Sequence, residues 1–301
     1  MKVRKQKSAV KKPKSTLYFE IFAYLFVILM MLFCLFPILL ILSGSITDNE
    51  ILIRHGYRLF PEKFSLDAYG YIFQHPEGIV DAYTNTILVT AAGTLAGLFI
   101  ISMTGYVLQR PDFKYRNTIS FIIYFTTLFG GGLIPWFIMM SKFLHLTNTY
   151  MARILPLLMS PFLIILMRTF ISSTVPHEVI ESATIDGAGD FKIFYRIVLP
   201  IIGPGLATVG LFLALGYWND WYLTSLFITK KSMFSLQYYL YDMLNSARFA
   251  QDMGIPTGNV QLPSESIKMA LVVVVTGPII LLYPFVQRYF VTGITIGAVK
   301  G

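Results

Sequence analysis

The sequence predicts an all-α, polytopic membrane protein with six transmembrane helices and a cytoplasmic helix–turn–helix hairpin. Three observations carry that expectation. Of the 301 residues, 55% are hydrophobic and only 13% are charged, whereas a soluble domain holds about 25% charged residues. Six apolar segments are each long enough to cross a hydrocarbon core about 30 Å thick, which takes roughly 20 helical residues. A charged, glycine-broken stretch, VIESATIDGAGDFKIFYRIVLP (Val179–Pro200), then interrupts this apolar chain between the fourth and fifth segments.

The N-terminal element is basic. Residues 1–17 contain seven Lys or Arg, and the formal net charge of the whole chain is +8. Directly ahead of an apolar run, such a cluster reads as an anchor at anionic lipid on the cytoplasmic face; it is not read as a nucleic-acid site. The first span follows at 18–44. Its core, Ile21–Leu42, is free of charge over 22 residues, too long for the apolar part of a signal peptide, about 7–15 residues. Cys34 lies inside it as the one cysteine and has no intrachain partner.

The remaining spans are placed at 83–108, 118–140, 150–171, 204–228 and 267–290. Helices are expected throughout, because in lipid a segment must satisfy its own backbone polar groups. With the N-terminus inside, the inner segments hold fifteen basic residues and the outer ones nine, so both termini are expected in the cytoplasm. The six-span domain is therefore 18–290, followed by a cytoplasmic tail at 291–301. The outer segments 46–82 and 229–266 are long, and stretches such as Ser65–Phe73 and Ser235–Phe249 can form short helices. Thr90, Gly93, Thr94, Gly97 and Ser102 in the second span read as a close-packing face.

The chemistry of the side chains counts against several function classes. The middles of the spans carry no ionisable group, as a carrier driven by protons or sodium would. No G-x-x-x-x-G-K-[ST] phosphate loop is present. His55, His75, His145 and His177 show no metal-ligand spacing, and no catalytic set sits at membrane depth. The energy source is expected on another chain.

The charged stretch reads as two short helices around a turn. Pro176 suits a first helical turn with Thr174 or Val175 as its cap. The first helix, to Ile185, places Ile180, Ala183 and Thr184 on one face, with Glu178 and Glu181 beside it. Gly187 and Gly189 allow a reversal. Asp190 can cap a second helix with an apolar stripe of Phe191, Phe194, Ile197 and Val198, ended by Pro200.

This stretch resembles the EAA loop of ATP-binding-cassette importer permeases, E-A-A-x-x-x-G, nine residues, then I-x-L-P. The matching positions are Glu181, Ala183, Gly187, Ile197, Leu199 and Pro200, with Ser182 in place of an alanine. The extension Ile185–Ala188, the upstream Leu146–Tyr150, Ile154–Pro156 and Phe162, and Trp218–Asp220 are similar to the carbohydrate branch, the maltose-type permeases. The tail YPFVQRYFVTGITIGAVKG resembles the second permease of that branch. FGGGLIP (Phe129–Pro135) resembles a subfamily associated with complex oligosaccharides.

The resemblance implies a permease subunit of an ATP-driven carbohydrate importer in a bacterial cell membrane. Its implied partners are a homologous permease, a cytoplasmic ATPase dimer that holds ATP and Mg, and an extracytoplasmic solute-binding protein; this chain itself binds no cofactor. The hairpin 174–200 would be the coupling element, with Glu178, Glu181, Ala183, Asp186, Gly187 and Ala188 toward the ATPase. Phe191, Phe194, Ile197, Leu199 and Pro200 would pack it. Lys300 and Gly301 would reach the ATPases. Trp218, Asn219 and Asp220 are the candidate substrate pathway; an interfacial aromatic belt is the competing reading of this segment, above all for Trp221 and Tyr222. Two alternatives stay open: the same kind of permease for a non-sugar solute, and a stand-alone carrier.

Overall fold

A computed structural model describes residues 14–74, 76–252 and 265–298. Among them the regular structure is helical, and the one β feature is an isolated bridge between Thr47 and Phe64. The chain divides into two compact units, residues 1–72 with 263–273 and residues 73–262 with 274–301.

The first unit is dominated by α1 (Lys14–Ser45), which carries Pro37 in its interior. Its apolar side chains are exposed on every side; Phe19 and Phe33 are examples. A helix that is hydrophobic all round and unburied within its own chain is matched to lipid rather than water. Beyond it, α2 (Asn49–His55) is capped by Asp48, whose carboxylate accepts the Glu50 N–H at 3.0 Å. Lys63 Nζ reaches the same carboxylate at 2.7 Å. The Ser65–Phe73 stretch holds most of α3 (Asp67–Gln74).

The second unit is built on α4 (Glu77–Gln109). Small residues on α4 let neighbouring helices approach closely: a Cβ at Gly93 would lie 2.5 Å from Tyr217 Cζ. The Tyr217 hydroxyl in turn donates to the Ile154 carbonyl at 2.9 Å. Thus α4, α7 (Met151–Leu158) and α12 (Gly203–Trp218) meet around one buried phenol.

Three predicted spans are not straight rods. Span three is α5 (Arg116–Leu128) and α6 (Leu133–Ile138), continued by a π turn at Met139–Phe143 and bent by 115°. Gly130 to Gly132 lie in the break, and Gly132 has φ 86. Span four is α7 and α8 (Pro161–Thr174), bent by 45° where Pro161 opens the second piece. Span five stops at Trp218 and resumes as α13 (Tyr222–Phe227). Among the described residues, α1 and α4 are long and apolar enough to cross a membrane singly, and bent pairs raise that number to as many as five. Toward the C-terminus the described residues form α14 (Leu236–Asp252) and α15 (Glu265–Ala298).

Candidate functional site

Between α8 and α12 the chain folds into a two-armed hairpin. Val175 and Pro176 are extended (Pro176 φ −61, ψ 139), and the first arm is α9 (His177–Ile185). Pro176 therefore stands just outside the helix, not in its first turn as expected. Ile180 and Ala183 are buried, whereas Thr184, expected on their face, is exposed and donates to the Ile180 carbonyl at 2.9 Å. Glu178, Glu181, Ser182 and Asp186 are exposed. Glu181 lies 3.1 Å from His177 Nδ1, one helical turn away.

The turn is a Schellman motif. Gly187 N–H donates to the Thr184 carbonyl and Ala188 N–H to the Ala183 carbonyl, each at 3.0 Å. That geometry puts Gly187 at φ 75, which L-residues resist. A Cβ at Gly187 would meet nothing within 4 Å, so the demand for glycine is conformational and not steric. Gly189 is ordinary extended backbone, φ −68 and ψ 155. Of the two glycines expected to permit the reversal, only Gly187 is required for it.

The second arm begins as α10 (Asp190–Ile193), passes through a π turn at Phe194–Val198 and ends as α11 (Leu199–Ile201). Asp190 does not cap this arm; it is the first helical residue, and Gly189 supplies the carbonyl that accepts from Lys192 and Ile193. The buried face is Ile193, Phe194 and Val198, with Ile197 and Leu199 half-buried. Phe191 is 61% exposed and stacks on Tyr195 with rings 6.5 Å apart. The expected stripe fails at Phe191 because the π turn adds a residue to the helical cycle, rotating what precedes it away from the packed face. Pro200 does not end the helix either. Leu199 N–H reaches back five residues to Phe194, and Pro200, which has no N–H to place, sits at the start of the next turn. The chain then bends by 85° into α12.

Sequence reasoning missed Arg110, which stands in the loop between α4 and α5. Its Nε donates to Asp112 Oδ1 at 2.8 Å, its Nη1 to the Tyr106 hydroxyl at 3.2 Å, and Nη1 also pairs with Asp190. Hydrogen bonding from Arg110 holds the Asp112 carboxyl below its usual range, and the same bond raises the guanidinium. The signal was present as Arg110-Pro111-Asp112, an acid two residues past a base, but nothing local points to Asp190. A cleft of about 590 Å³ lies beside it, lined by Arg110, Asp112, His177, Ile180, Glu181 and Ile185. Ile185 itself is 86% exposed. Mixed charge around an exposed apolar tip suits recognition of another surface. Among the described residues no group of His, Cys, Asp or Glu could hold a metal ion.

The Trp218–Asp220 set lies at the break after α12. Trp218 and Asp220 are buried and Asn219 is exposed. The Asp220 carboxylate accepts from Arg153 Nε at 3.1 Å, Leu223 N–H at 2.9 Å and Thr224 Oγ1 at 3.1 Å. Arg153, counted among the outer charges from sequence, is completely buried. Trp221 and Tyr222 are exposed. Lys300 and Gly301 lie outside the described residues.

Long apolar helices suited to lipid and an exposed two-armed hairpin are the features of a membrane-embedded helical subunit. The family described as binding-protein-dependent transport system inner membrane component matches residues 16–296, and the chain belongs to it. The polygalacturonan/rhamnogalacturonan transport system permease protein YtcP of Bacillus subtilis (strain 168) is 36% identical over 284 residues, 94% of this chain and 98% of that protein. The arabinooligosaccharides transport system permease protein AraQ of the same organism is 30% identical, covering 92% of this chain and 94% of that one. A crystal structure of a bacterial ABC transporter involved in the import of the acidic polysaccharide alginate contains a chain similar at a TM-score of 0.78 and 28% identity. The match covers 93% of this chain and 99% of that one. The chain is a transport permease subunit, not an enzyme.

Proposed function

We propose that this chain is half of a permease pair that imports oligosaccharides, driven by ATP hydrolysis on separate subunits. The hairpin carries the reading: two short arms, a glycine-locked tip and exposed Glu178, Glu181 and Asp186 form a knob that a groove can grip. The sugar assignment rests on relatives whose names specify polygalacturonan/rhamnogalacturonan and arabinooligosaccharides and on the alginate importer.

In this reading six spans fill 18–290, with the basic residues 1–17 and the tail 291–301 in the cytoplasm of a bacterial cell. The hairpin 174–200 faces the same side and docks in a cleft of the ATPase, where Glu181 meets a basic side chain. Lys300 and Gly301 reach between the ATPase subunits. A binding protein delivers solute at the outer face. Asn219 meets the solute there, while Trp218 and Asp220 brace the break beside it. ATP binding moves the permease pair only through differential affinity for its two states.

The test is reconstitution with the paired permease, the ATPase and the binding protein in proteoliposomes. Polygalacturonate fragments or arabinooligosaccharides are expected to stimulate ATP hydrolysis and to accumulate inside. Stimulation by a non-sugar solute alone would replace the sugar assignment. Uptake by this chain reconstituted without partners would refute the whole reading.

A further inference from the structure

The hairpin has to pass its displacement to the spans, and its attachment to α4 is visible. Phe194 packs on Tyr106, with ring centroids 5.6 Å apart, and on Phe99 at 6.5 Å. This apolar anchor holds the middle of the second arm. The start of that arm is held differently. Arg110, directly after α4, places one guanidinium between Asp112 of its own loop and Asp190, eighty residues later, at the first turn after the Schellman tip. Arg110 Cζ lies over the Tyr106 ring, 5.9 Å from its centroid. Its side chain is 14% exposed, while Asp112 and Asp190 are 63% and 75% exposed.

We propose that Arg110 is a positioning residue for coupling: it clasps the Asp190 end of the hairpin to the end of α4, so that a push on the tip moves α4 with it. This rests on the reading of the hairpin as the ATPase contact. The physical argument is directional. Apolar packing at Phe194 permits the arm to pivot, because such contacts are nearly indifferent to small rotations. A forked, charge-assisted bond fixes orientation as well as distance. One anchor makes a hinge, and two on the same arm make a lever. Asp190 is the first helical residue and not the cap, and its carboxylate is turned to Arg110. Asp112 fixes the guanidinium in advance, so little side-chain freedom is lost when Asp190 engages.

The clasp is tested on the assembled transporter in proteoliposomes, with hydrogen exchange at residues 186–193 and solute imported per ATP hydrolysed as paired readouts. Arg110→Ala and Asp190→Ala are each expected to speed exchange at those amides up to about fivefold, the scale of a partly exposed ion pair. Both should lower the import-per-ATP ratio. Arg110→Asp should be worse, since it gathers three carboxylates. Adding Asp190→Arg to it restores a base facing Asp112 and the new acid, and should recover both readouts. A role confined to loop stability would not return with the exchanged pair. Should Arg110→Ala accumulate poorly, Arg110→Lys is read instead, and should keep the charge but lose part of the ratio. Unchanged exchange in Arg110→Ala and Arg110→Lys, or an exchanged pair no better than Arg110→Asp alone, would overturn the proposal. If the unmutated complex imports no oligosaccharide, the sugar reading fails separately, because hydrogen exchange reports the clasp without any solute.

Discussion

At Asp186–Gly189 and at Asn219–Trp221 the chain leaves one helix and enters another, yet the two breaks handle polarity in opposite ways. The hairpin turn satisfies its own backbone with two Schellman bonds and leaves its one charged side chain, Asp186, outside. The later break has its charge inside: Asp220 draws Arg153, Leu223 N–H and Thr224 to one carboxylate. A self-contained turn can be gripped and moved without exposing an unpaired group. A break built on a buried charge is held in one geometry, because every alternative strands a charge. The first suits contact with a moving partner, and the second suits a fixed joint inside the bundle.

The largest expected effect comes from breaking the fixed joint. Asp220→Ala leaves the Arg153 guanidinium buried without its counter-charge and removes an acceptor from α13. A loss of about 3–5 kcal/mol is expected, read as a collapse in yield and thermal stability of the detergent-solubilised complex. Arg153→Met should be milder, since it removes the cation and leaves Asp220 two further donors. Equal stability of Asp220→Ala and the unmutated protein would erase the contrast between the two breaks. Gly187→Val comes next. A side chain there meets no neighbour, so the cost is that of the left-handed backbone, about 1–2 kcal/mol, confined to the hairpin. Gly187→Asn should lose less, because asparagine tolerates that conformation, and Gly189→Ala should change almost nothing. Hydrogen exchange across residues 183–190 separates the three.

Much of this was legible in the sequence, and the misses share a cause. Apolar length and charge reveal helices that cross lipid, and a glycine two residues past a helical pattern reveals the turn. Gly187, Ile180, Ala183 and Phe194 could be assigned in this way. Phe191 could not, because a π turn breaks the 3.6-residue cycle on which the stripe was counted. Nor could the bends in spans three and four, at Gly132 and Pro161, or the break in span five at Asp220, because apolar length alone is blind to where a run breaks. The pairs Arg153–Asp220 and Arg110–Asp190 join residues 67 and 80 positions apart. Local spacing is silent about such partners, and each Arg was counted from sequence only as a charge on one side of a membrane.

The smaller effects concern the outside of the hairpin. Glu181→Ala removes an exposed carboxylate, so stability should shift by no more than ~0.5 kcal/mol, while solute-dependent ATP hydrolysis falls sharply. Retained coupling in that variant would remove Glu181 from the contact. The least effect is expected from pH. Asp112 has its pKa lowered on folding by the Arg110 bond. Its contribution is therefore fully present above the unfolded value of about 3.9 and is lost only as pH falls through the lower folded value. Between about pH 8 and pH 5 the contribution of Asp112 is constant, and only imidazole is ordinarily expected to titrate there. In a His177→Gln background, hydrogen exchange at 186–193, corrected for its intrinsic pH dependence, should thus be flat across that window. A marked loosening toward pH 5 would show that the contact between this loop and the hairpin depends on a group outside the clasp.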